Sequence, residues 1–295
     1  MKYIIAIDIG GSTFRSGLFS DSIIPIDISD QDKIRYYSDK NSVRDAIIKQ
    51  VNSLIKKNKI VKNDILGIGI ALPGPLDSDN GIILNTPNLT IFQNYNIADE
   101  FSQILNLDVC IENDANLFAL GEWYENYQDN NIVLAITIGT GLGLGLIING
   151  ALFKGGNGYA MEYGVSPFAW GECERNVCIN FIKQRGRELY GESISPIKIE
   201  EYFKLNDDKA IKIYNEFGYN LGIVLSHIIN LIDPNVVTLG GGLSNAFNCF
   251  KDSMFLSLKE NSLTFNEQTT KIIKSKLGEK SAMIGACKIV KEKCS

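Results

Sequence analysis

Residues 3–19, Y-I-I-A-I-D-I-G-G-S-T-F-R-S-G-L-F, decide the fold of this chain. The isoleucines between Tyr3 and Ile9 predict a strand that is buried on both faces, with Asp8 near its end. A glycine- and hydroxyl-rich turn follows, and Arg15 to Phe19 predicts a second strand, so the stretch predicts a β-hairpin. The backbone N–H groups of such a turn can form an anion-binding concavity. A simple glycine-rich turn explains the same residues equally well.

The same pattern returns near the middle of the chain. Residues 135–141, A-I-T-I-G-T-G, match residues 6–12, A-I-D-I-G-G-S, in kind, and a second apolar strand from Leu142 to Ile148 follows. An internal repeat at half the chain length predicts two like-folded α/β domains. We expect the two domains to face each other, with both hairpins directed at one cleft.

Two common nucleotide-binding patterns are disfavoured. No Gly-Lys-Ser/Thr follows either glycine turn, so neither is a Walker loop. The turn that begins at Gly139 does not fit G-x-G-x-x-G either, because Leu144 stands where the last glycine should be.

An acidic stretch lies between the two repeats, in residues 109–123, V-C-I-E-N-D-A-N-L-F-A-L-G-E-W. Val109 to Ile111 predicts the end of a buried strand, and Ala115 begins a predicted helix. Asp114 therefore falls at the carboxyl end of a strand, where open α/β sheets bind ligands. Taken alone, an ordinary helix cap explains these residues better than catalysis does; the flanking hairpins favour catalysis.

The remaining pattern fits an α/β chain. Apolar periodicity predicts strands over 65–72, 81–84, 236–239 and 271–275, and helices over 42–58, 97–105, 215–232 and 281–293. Three loops stand out between them: the polar turn Asn85–Asn88, a glycine-rich loop that carries Glu162, and the run Gly240–Gly242. Each also has a plain structural explanation as an ordinary loop or a tight turn.

Composition limits the classes of function. The chain has 295 residues, enough for about two domains, with 45% hydrophobic and 21% charged residues. The net charge of −5 does not favour nucleic-acid binding. The apolar run from Leu221 to Ile232 is shorter than the about 18 residues that a membrane span needs. We find no secretory signal and expect a cytoplasmic protein without structural disulfides.

A zinc site is not predicted. Cys173 and Cys178 stand among charged neighbours, but a structural zinc needs about four ligands with tight spacing. His227 is the single histidine and falls on an apolar predicted helix, where a core role is the more common one.

Six short segments, in this order, resemble the sugar kinases of the ROK family, within the actin-like ATPase superfamily. They are Asp8-Ile9-Gly10-Gly11-Ser12, Leu72-Pro73-Gly74-Pro75 with Thr86-Pro87-Asn88, Glu112-Asn113-Asp114-Ala115, Ile138-Gly139-Thr140-Gly141-Leu142-Gly143, Glu162-Tyr163-Gly164, and Asp233-Pro234 with Leu239-Gly240-Gly241-Gly242. The resemblance covers nearly the whole chain. It implies two actin-like (ribonuclease H-like) domains that flank a nucleotide and sugar cleft.

The resemblance also implies roles for individual residues. Asp114 would be the general base that accepts the proton of a sugar hydroxyl. Asp8 would act on Mg²⁺ through water. The ATP phosphates and adenosine would contact Gly10, Gly11, Ser12, Thr13, Gly139, Thr140, Gly141, Gly240, Gly241 and Gly242. The sugar would contact Gly74, Asn88, Asn113, Asp114 and Glu162.

The chain departs from the family in one region. Val165 occupies the position of a zinc-binding histidine, and Asn180 that of a sugar-contacting glutamate. Of the family's cysteine pattern only Cys173 and Cys178 remain. The resemblance implies ATP and Mg²⁺. Because of these departures we expect no zinc and an altered pocket near C1 and C2 of the sugar. Some N-acetylmannosamine kinases of the family lack the metal motif, so N-acetylmannosamine is the preferred substrate, with glucose or fructose next.

The same resemblance gives the expected organisation. Residues 1–115 would form the N-terminal domain, with the helix of 281–295 packing back on it, and 116–280 the C-terminal domain. We expect a homodimer that binds neither nucleic acid nor membrane. A sugar-sensing repressor is disfavoured, since Asp8 leaves no room for a preceding helix-turn-helix domain. A catalytically inactive sugar-binding regulator remains an alternative.

Overall fold

The computed structural model describes residues 1–168 and 171–293, and the chain divides into two compact units. The first unit comprises Met1–Asn126, Leu152–Ala160 and Glu279–Ser295. The second unit comprises Tyr127–Ala151 and Met161–Gly278.

The strands of the described residues are β1 Tyr3–Ile9, β2 Thr13–Ser20, β3 Pro25–Ile28, β4 Asp32–Lys33, β5 Ile65–Leu72, β6 Leu76–Asp77, β7 Ile82–Ile83, β8 Tyr95–Asn96, β9 Val109–Asn113, β10 Ile132–Ile138, β11 Leu142–Ile148, β12 Ala151–Leu152, β13 Val236–Gly240 and β14 Lys271–Lys274. The helices are α1 Lys40–Lys57, α2 Ile97–Leu105, α3 Asp114–Asn126, α4 Cys173–Asn176, α5 Ile179–Tyr190, α6 Pro196–Lys204, α7 Asp208–Ile232, α8 Phe247–Asn261 and α9 Lys280–Lys293.

Both units are built around a sheet with the same topology. The order is β3-β2-β1-β5-β9 in the first unit, where β4 also pairs with β2, and β12-β11-β10-β13-β14 in the second. In each sheet an antiparallel hairpin is followed by two strands parallel to its first strand. The shared topology confirms the predicted internal repeat and the α/β fold class.

Each unit has its own hydrophobic core. In the first unit Ile5, Ile7 and Ile9 of β1 share one core with the buried face of α1, which presents Val43, Ile47, Val51 and Leu54. In the second unit β10 and β13 pack with α7 and α8. Gly222 of α7 lets the helices approach closely, because a Cβ atom there would lie 2.5 Å from the carbonyl oxygen of Met254.

The terminal helix α9 packs on α3 and β5 through small residues. A Cβ atom at Gly285 would lie 2.0 Å from the carbonyl oxygen of Leu117, and one at Gly69 would lie 2.2 Å from that of Ala286. The buried Glu122 accepts a hydrogen bond from Ser281 at 2.5 Å. Because α3 is joined to α9 in this way, it belongs to the first unit, which extends past the predicted boundary at residue 115.

Several elements differ from the sequence-based expectations. Helix α7 begins at Asp208 rather than at residue 215, because Asp207 caps it by accepting a hydrogen bond from the Ala210 amide. Helices α5, α6 and α8 were not predicted, although buried residues of α8 recur at Phe250, Met254 and Leu258. The last two residues of the predicted 281–295 segment lie outside the described residues. Among the helices that are described, none has both the length and the apolarity to cross a bilayer.

Candidate active site

The first glycine hairpin lies in the turn between β1 and β2. The Gly10 amide donates to the carbonyl of Thr13 at 2.8 Å, which closes the turn. A Cβ atom at Gly11 would lie 2.5 Å from the backbone carbonyl oxygen of Asn88. Glycine is therefore required at position 11, and the close approach brings the predicted phosphate-binding turn against the predicted sugar-binding residue Asn88.

Asp8 sits opposite Arg15 in the hairpin register. The Arg15 guanidinium lies 3.4 Å from the Asp8 carboxylate and also contacts the side chain and the backbone carbonyl of Glu279, each at 2.8 Å. Burial raises the pKa of Asp8, Arg15 opposes that rise, and Glu279 adds to it. Arg15 received no role from the sequence, although its position across the hairpin from Asp8 could have identified it.

The Asp8 carboxylate meets the chemical requirement of the predicted magnesium role. Mg²⁺ prefers oxygen ligands and keeps several of its waters, so one carboxylate near the phosphates suffices for a water-mediated contact. The side chain of Asp8 is 25% exposed, which leaves it accessible to such a hydrated ion.

The loop that follows β5 positions Gly74 and Asn88 in the first unit. The buried Thr86 hydroxyl donates to the Gly74 carbonyl at 2.5 Å. The Leu84 amide donates to the Pro75 carbonyl at 3.2 Å. These hydrogen bonds fold the 84–88 segment back onto the end of β5.

The catalytic candidate Asp114 is the first residue of α3, directly after β9. Capping of this helix falls to its neighbour: the Asn113 side-chain oxygen accepts hydrogen bonds from the amides of Ala115, at 2.9 Å, and Asn116, at 3.2 Å. Asp114 also accepts a hydrogen bond from the Ala115 amide, at 2.8 Å. Because Asn113 bonds the amides of two successive residues, it serves as the helix cap, and Asp114 shares one of those amides.

The second glycine hairpin connects β10 and β11 in the second unit. The Gly139 amide donates to the Gly141 carbonyl at 3.0 Å, and the Gly139 carbonyl accepts from the Ile179 amide at 2.9 Å. Thr137 occupies the place that Asp8 has in the first hairpin. The Glu174 carboxylate lies close to the turn: a Cβ atom added at Gly141 would be 2.6 Å from it.

The Gly240–Gly242 run packs directly on the strand that leads into this hairpin. Gly241 has a φ of +78°, and a Cβ atom there would lie 2.4 Å from the carbonyl oxygen of Ile138. Both the positive φ and the close approach favour glycine. The predicted nucleotide residues of the second unit, Gly139–Gly141 and Gly240–Gly242, are thereby brought together.

Glu162 lies in the second unit, just before a short helical turn at Tyr163–Val165. Burial and the nearby Glu174 both raise the pKa of Glu162. The turn packs tightly on β11, since a Cβ atom at Gly164 would lie 2.6 Å from the carbonyl oxygen of Leu142. The other predicted sugar residues, Gly74, Asn88, Asn113 and Asp114, are in the first unit.

The segment around Cys173 and Cys178, where the rest of the family's cysteine pattern is missing, is held by backbone hydrogen bonds and apolar packing. Cys173 and Cys178 are buried, and the Cys173 amide donates to the Ser166 carbonyl at 2.9 Å. Burial raises the pKa of the Cys173 thiol, which opposes the thiolate form that binds zinc. The described residues contain no group of three or more His, Cys, Asp or Glu side chains placed to hold a metal ion.

His227 contacts Tyr163. The prediction that His227 lies in the core is wrong. The Tyr163 hydroxyl and the His227 Nδ1 are 2.7 Å apart, and His227 itself is exposed. The helix α7 therefore supports the segment next to Glu162 through a polar contact that the sequence did not predict.

Known proteins with similar sequences and folds cover almost the entire chain. The sequence pattern of the ROK family matches residues 4–293. An N-acetyl-D-glucosamine kinase from Photobacterium profundum is 32% identical over 95% of this chain and 96% of its own.

Solved structures give the same picture at the level of the fold. A ROK family glucokinase from Streptomyces griseus, in complex with glucose and AMPPNP, has a TM-score of 0.83 and 23% identity over 98% of this chain and 99% of its own. A candidate N-acetylmannosamine kinase from Listeria monocytogenes has a TM-score of 0.80 and 25% identity, with the same two coverages. The two like-folded units and these matches identify an actin-like fold. The chain belongs to the ROK family, in which it is an ATP-dependent sugar kinase.

Proposed function

We propose that this protein transfers the γ-phosphoryl group of ATP to the 6-hydroxyl of an N-acetylhexosamine, with N-acetyl-D-glucosamine as the preferred substrate. The end-to-end similarity to an N-acetyl-D-glucosamine kinase, at 32% identity, carries this proposal. It shifts the preference away from N-acetylmannosamine, which was inferred from the sequence.

Asp114 acts as the general base in this proposal. A sugar hydroxyl becomes a nucleophile when a carboxylate within hydrogen-bond reach accepts its proton, which contributes about 10²–10⁴ in rate. The start of α3 supports the role of Asp114 as the base. Asn113 accepts hydrogen bonds from the first amides of the helix, and Asp114 lies directly after the end of strand β9. The remaining barrier is lowered by positioning and by neutralising charge.

The other predicted contacts complete the proposal. Mg²⁺ bound with ATP would neutralise phosphate charge, and Asp8 would hold it through water. The hairpin amides at positions 10–13 and 139–141 would bind phosphate, and Gly240–Gly242 would border the adenosine. Gly74, Asn88, Asn113 and Glu162 would orient the sugar hydroxyls. The homodimer and the cytoplasmic location also stay predictions.

N-acetyl-D-mannosamine is the second candidate. Val165 replaces the expected zinc-binding histidine, and Asn180 replaces the expected sugar-contacting glutamate, so the surroundings of C2 should differ from those of a zinc-containing relative. The fold similarity to the Listeria protein agrees with this candidate.

A sugar panel tests the proposal. ADP release should be measured with Mg-ATP and, side by side, N-acetyl-D-glucosamine, N-acetyl-D-mannosamine, glucose and fructose. The highest kcat/KM is expected with N-acetyl-D-glucosamine. A preference for glucose or fructose would contradict the substrate class. The absence of release with every sugar, together with retained sugar binding, would favour the inactive regulator.

A further inference from the structure

Glu112 is a buried carboxylate directly before the Asn113–Asp114 pair, and the proposed mechanism gives it no role. Only 6% of the residue is exposed. An ionised carboxylate is costly to bury unless it is paired and hydrogen-bonded. The surroundings of Glu112 therefore have to supply both hydrogen-bond donors and a compensating charge.

Two donors come from the chain that surrounds Asp114. One carboxylate oxygen of Glu112, Oε1, accepts from the Asn113 amide at 3.0 Å and from the side-chain amide of Asn116 at 3.1 Å. Asn116 is itself buried in the first turn of α3. Glu112 thus holds the residue before Asp114 and the residue two positions after it.

The charge comes from Lys154, in the segment Leu152–Ala160 of the same unit. Its ammonium lies 3.4 Å from the second oxygen of Glu112, Oε2. The same ammonium donates to the hydroxyl of Ser78 at 2.8 Å and lies 3.3 Å from the carboxylate of Asp79.

The two carboxylates that face Lys154 differ in burial. The side chain of Asp79 is 81% exposed, so its attraction to the ammonium is screened by water. The side chain of Glu112 is 8% exposed, so charge pairing matters far more there.

We infer that Glu112 and Lys154 are positioning residues for the phosphoryl transfer, which rests on the proposed role of Asp114 as the base. Glu112 fixes the turn from β9 into α3 on both sides of Asp114. Lys154 compensates the Glu112 charge, so that no unpaired anion stands two residues from the base. Neither residue touches the reacting atoms in this account.

A double-mutant cycle tests the inference. Lys154→Met should lower kcat about tenfold in the wild-type background, since small misplacements of a catalytic group are costly. In the Glu112→Gln background the same change should lower kcat by less than about twofold, because a neutral amide accepts the same hydrogen bonds without needing a cation. The KM for the sugar should change little in either background.

Two single variants serve as controls. Lys154→Arg should keep at least about half of kcat because it retains the charge. Asp79→Asn should have a similarly small effect, because its pair with Lys154 is exposed. Arginine and methionine variants that lose kcat equally would overturn the inference.

The outcomes separate the inference from the proposed function. An equal loss of kcat on Lys154→Met in both backgrounds would overturn the positioning role. If the wild-type chain shows no sugar-dependent ADP release in the same assay, the proposed function fails instead.

Discussion

At the scale of single residues, Asn113 and Asp114 divide two tasks that the sequence left combined. Asn113 accepts hydrogen bonds from the Ala115 and Asn116 amides in the first turn of α3, and Asp114 shares the Ala115 amide. A carboxylate, unlike an amide, readily accepts a proton, so Asp114 is the member of the pair suited to act as the base.

Replacing Asp114 by asparagine tests its role. Asp114→Asn removes the proton acceptor but nearly keeps the shape, so kcat should fall by about 10²–10⁴ while sugar binding changes little. Turnover and calorimetric sugar binding should be compared with Asp129→Asn, a change at an exposed acid of the second unit that should leave both unchanged. Substantial residual turnover would remove Asp114 from the base role.

The Asp8–Arg15 pair gives a prediction of pH dependence. Burial raises the pKa of Asp8, while Arg15 lowers it and Glu279 raises it further. Arg15→Met should therefore raise that pKa further, so that less of Asp8 is ionised in acid. Mg-ATP binding, which needs the ionised form in our proposal, should be weakened more at low pH.

The measurement compares wild type and Arg15→Met at two pH values. Arg15→Met should raise the Kd for Mg-ATP at both pH values. Given the direction of the pKa shift, that increase should be at least threefold larger at about pH 6 than at about pH 8. A loss of the same size at both pH values would contradict the role of Arg15 in setting the ionisation of Asp8.

The sequence predicted which residues end each strand, but it missed their long-range partners. Asp8, Asp114 and the hairpin glycines follow from local patterns. Glu279 lies 264 positions from Arg15, and Lys154 lies far along the chain from Glu112, so no local spacing connects them. Arg15 itself was within reach of sequence reasoning, because the hairpin register places it across from Asp8.

At the scale of elements, the packing of α9 on α3 supports the segment that carries Asp114. An alanine usually stabilises a helix relative to glycine by about 1 kcal/mol. At Gly285 the added Cβ would lie 2.0 Å from the carbonyl oxygen of Leu117, and a backbone atom cannot yield as a flexible side chain can.

Gly285→Ala should therefore destabilise the protein despite the helix preference. The free energy of unfolding should fall by about 1–3 kcal/mol, as expected for overpacking, when followed by chemical denaturation. Gly156→Ala is the matched control, because a Cβ there meets nothing within 4 Å, and its effect should be neutral or stabilising by less than about 1 kcal/mol. A more stable Gly285→Ala variant would contradict the close helix packing.

The cysteine segment gives a second prediction at this scale. Cys173 is buried with a raised thiol pKa, and Val165 stands where a histidine ligand was expected. Metal analysis of the purified protein should find far less than one zinc per chain. Stoichiometric zinc that a chelator removes with loss of activity would overturn this prediction.

Element prediction succeeded where periodicity was long or where a strand ran into glycine. The bounds of β1, β5 and α2 agree with the sequence-based ranges. Helices α5, α6 and α8 were missed because their buried faces are narrow and are interrupted by polar residues. In the three-stranded sheet, β7 lies within the predicted strand 81–84, whereas β6 and β8 have two residues each and are too short to show a period.

At the scale of the whole molecule, the repeat of residues 6–12 at 135–141 predicted two units with one topology, and the sheets confirm it. The predicted boundary after residue 115 came from the family resemblance. The unit boundary follows α3 to Asn126 instead, because α9 returns to pack on that helix. The resemblance implied that the C-terminal helix returns to the first domain, but the helix on which it packs depends on tertiary contacts, which sequence order does not contain.

The most direct test of the account follows the phosphoryl group itself. Wild-type protein and Asp114→Asn should be incubated with γ-labelled ATP, Mg²⁺ and N-acetyl-D-glucosamine, and the sugar product identified. We predict that the wild type forms the 6-phosphate of the sugar with the label and that the variant forms almost none. Label released as inorganic phosphate without a labelled sugar, or equal product from the two proteins, would contradict it.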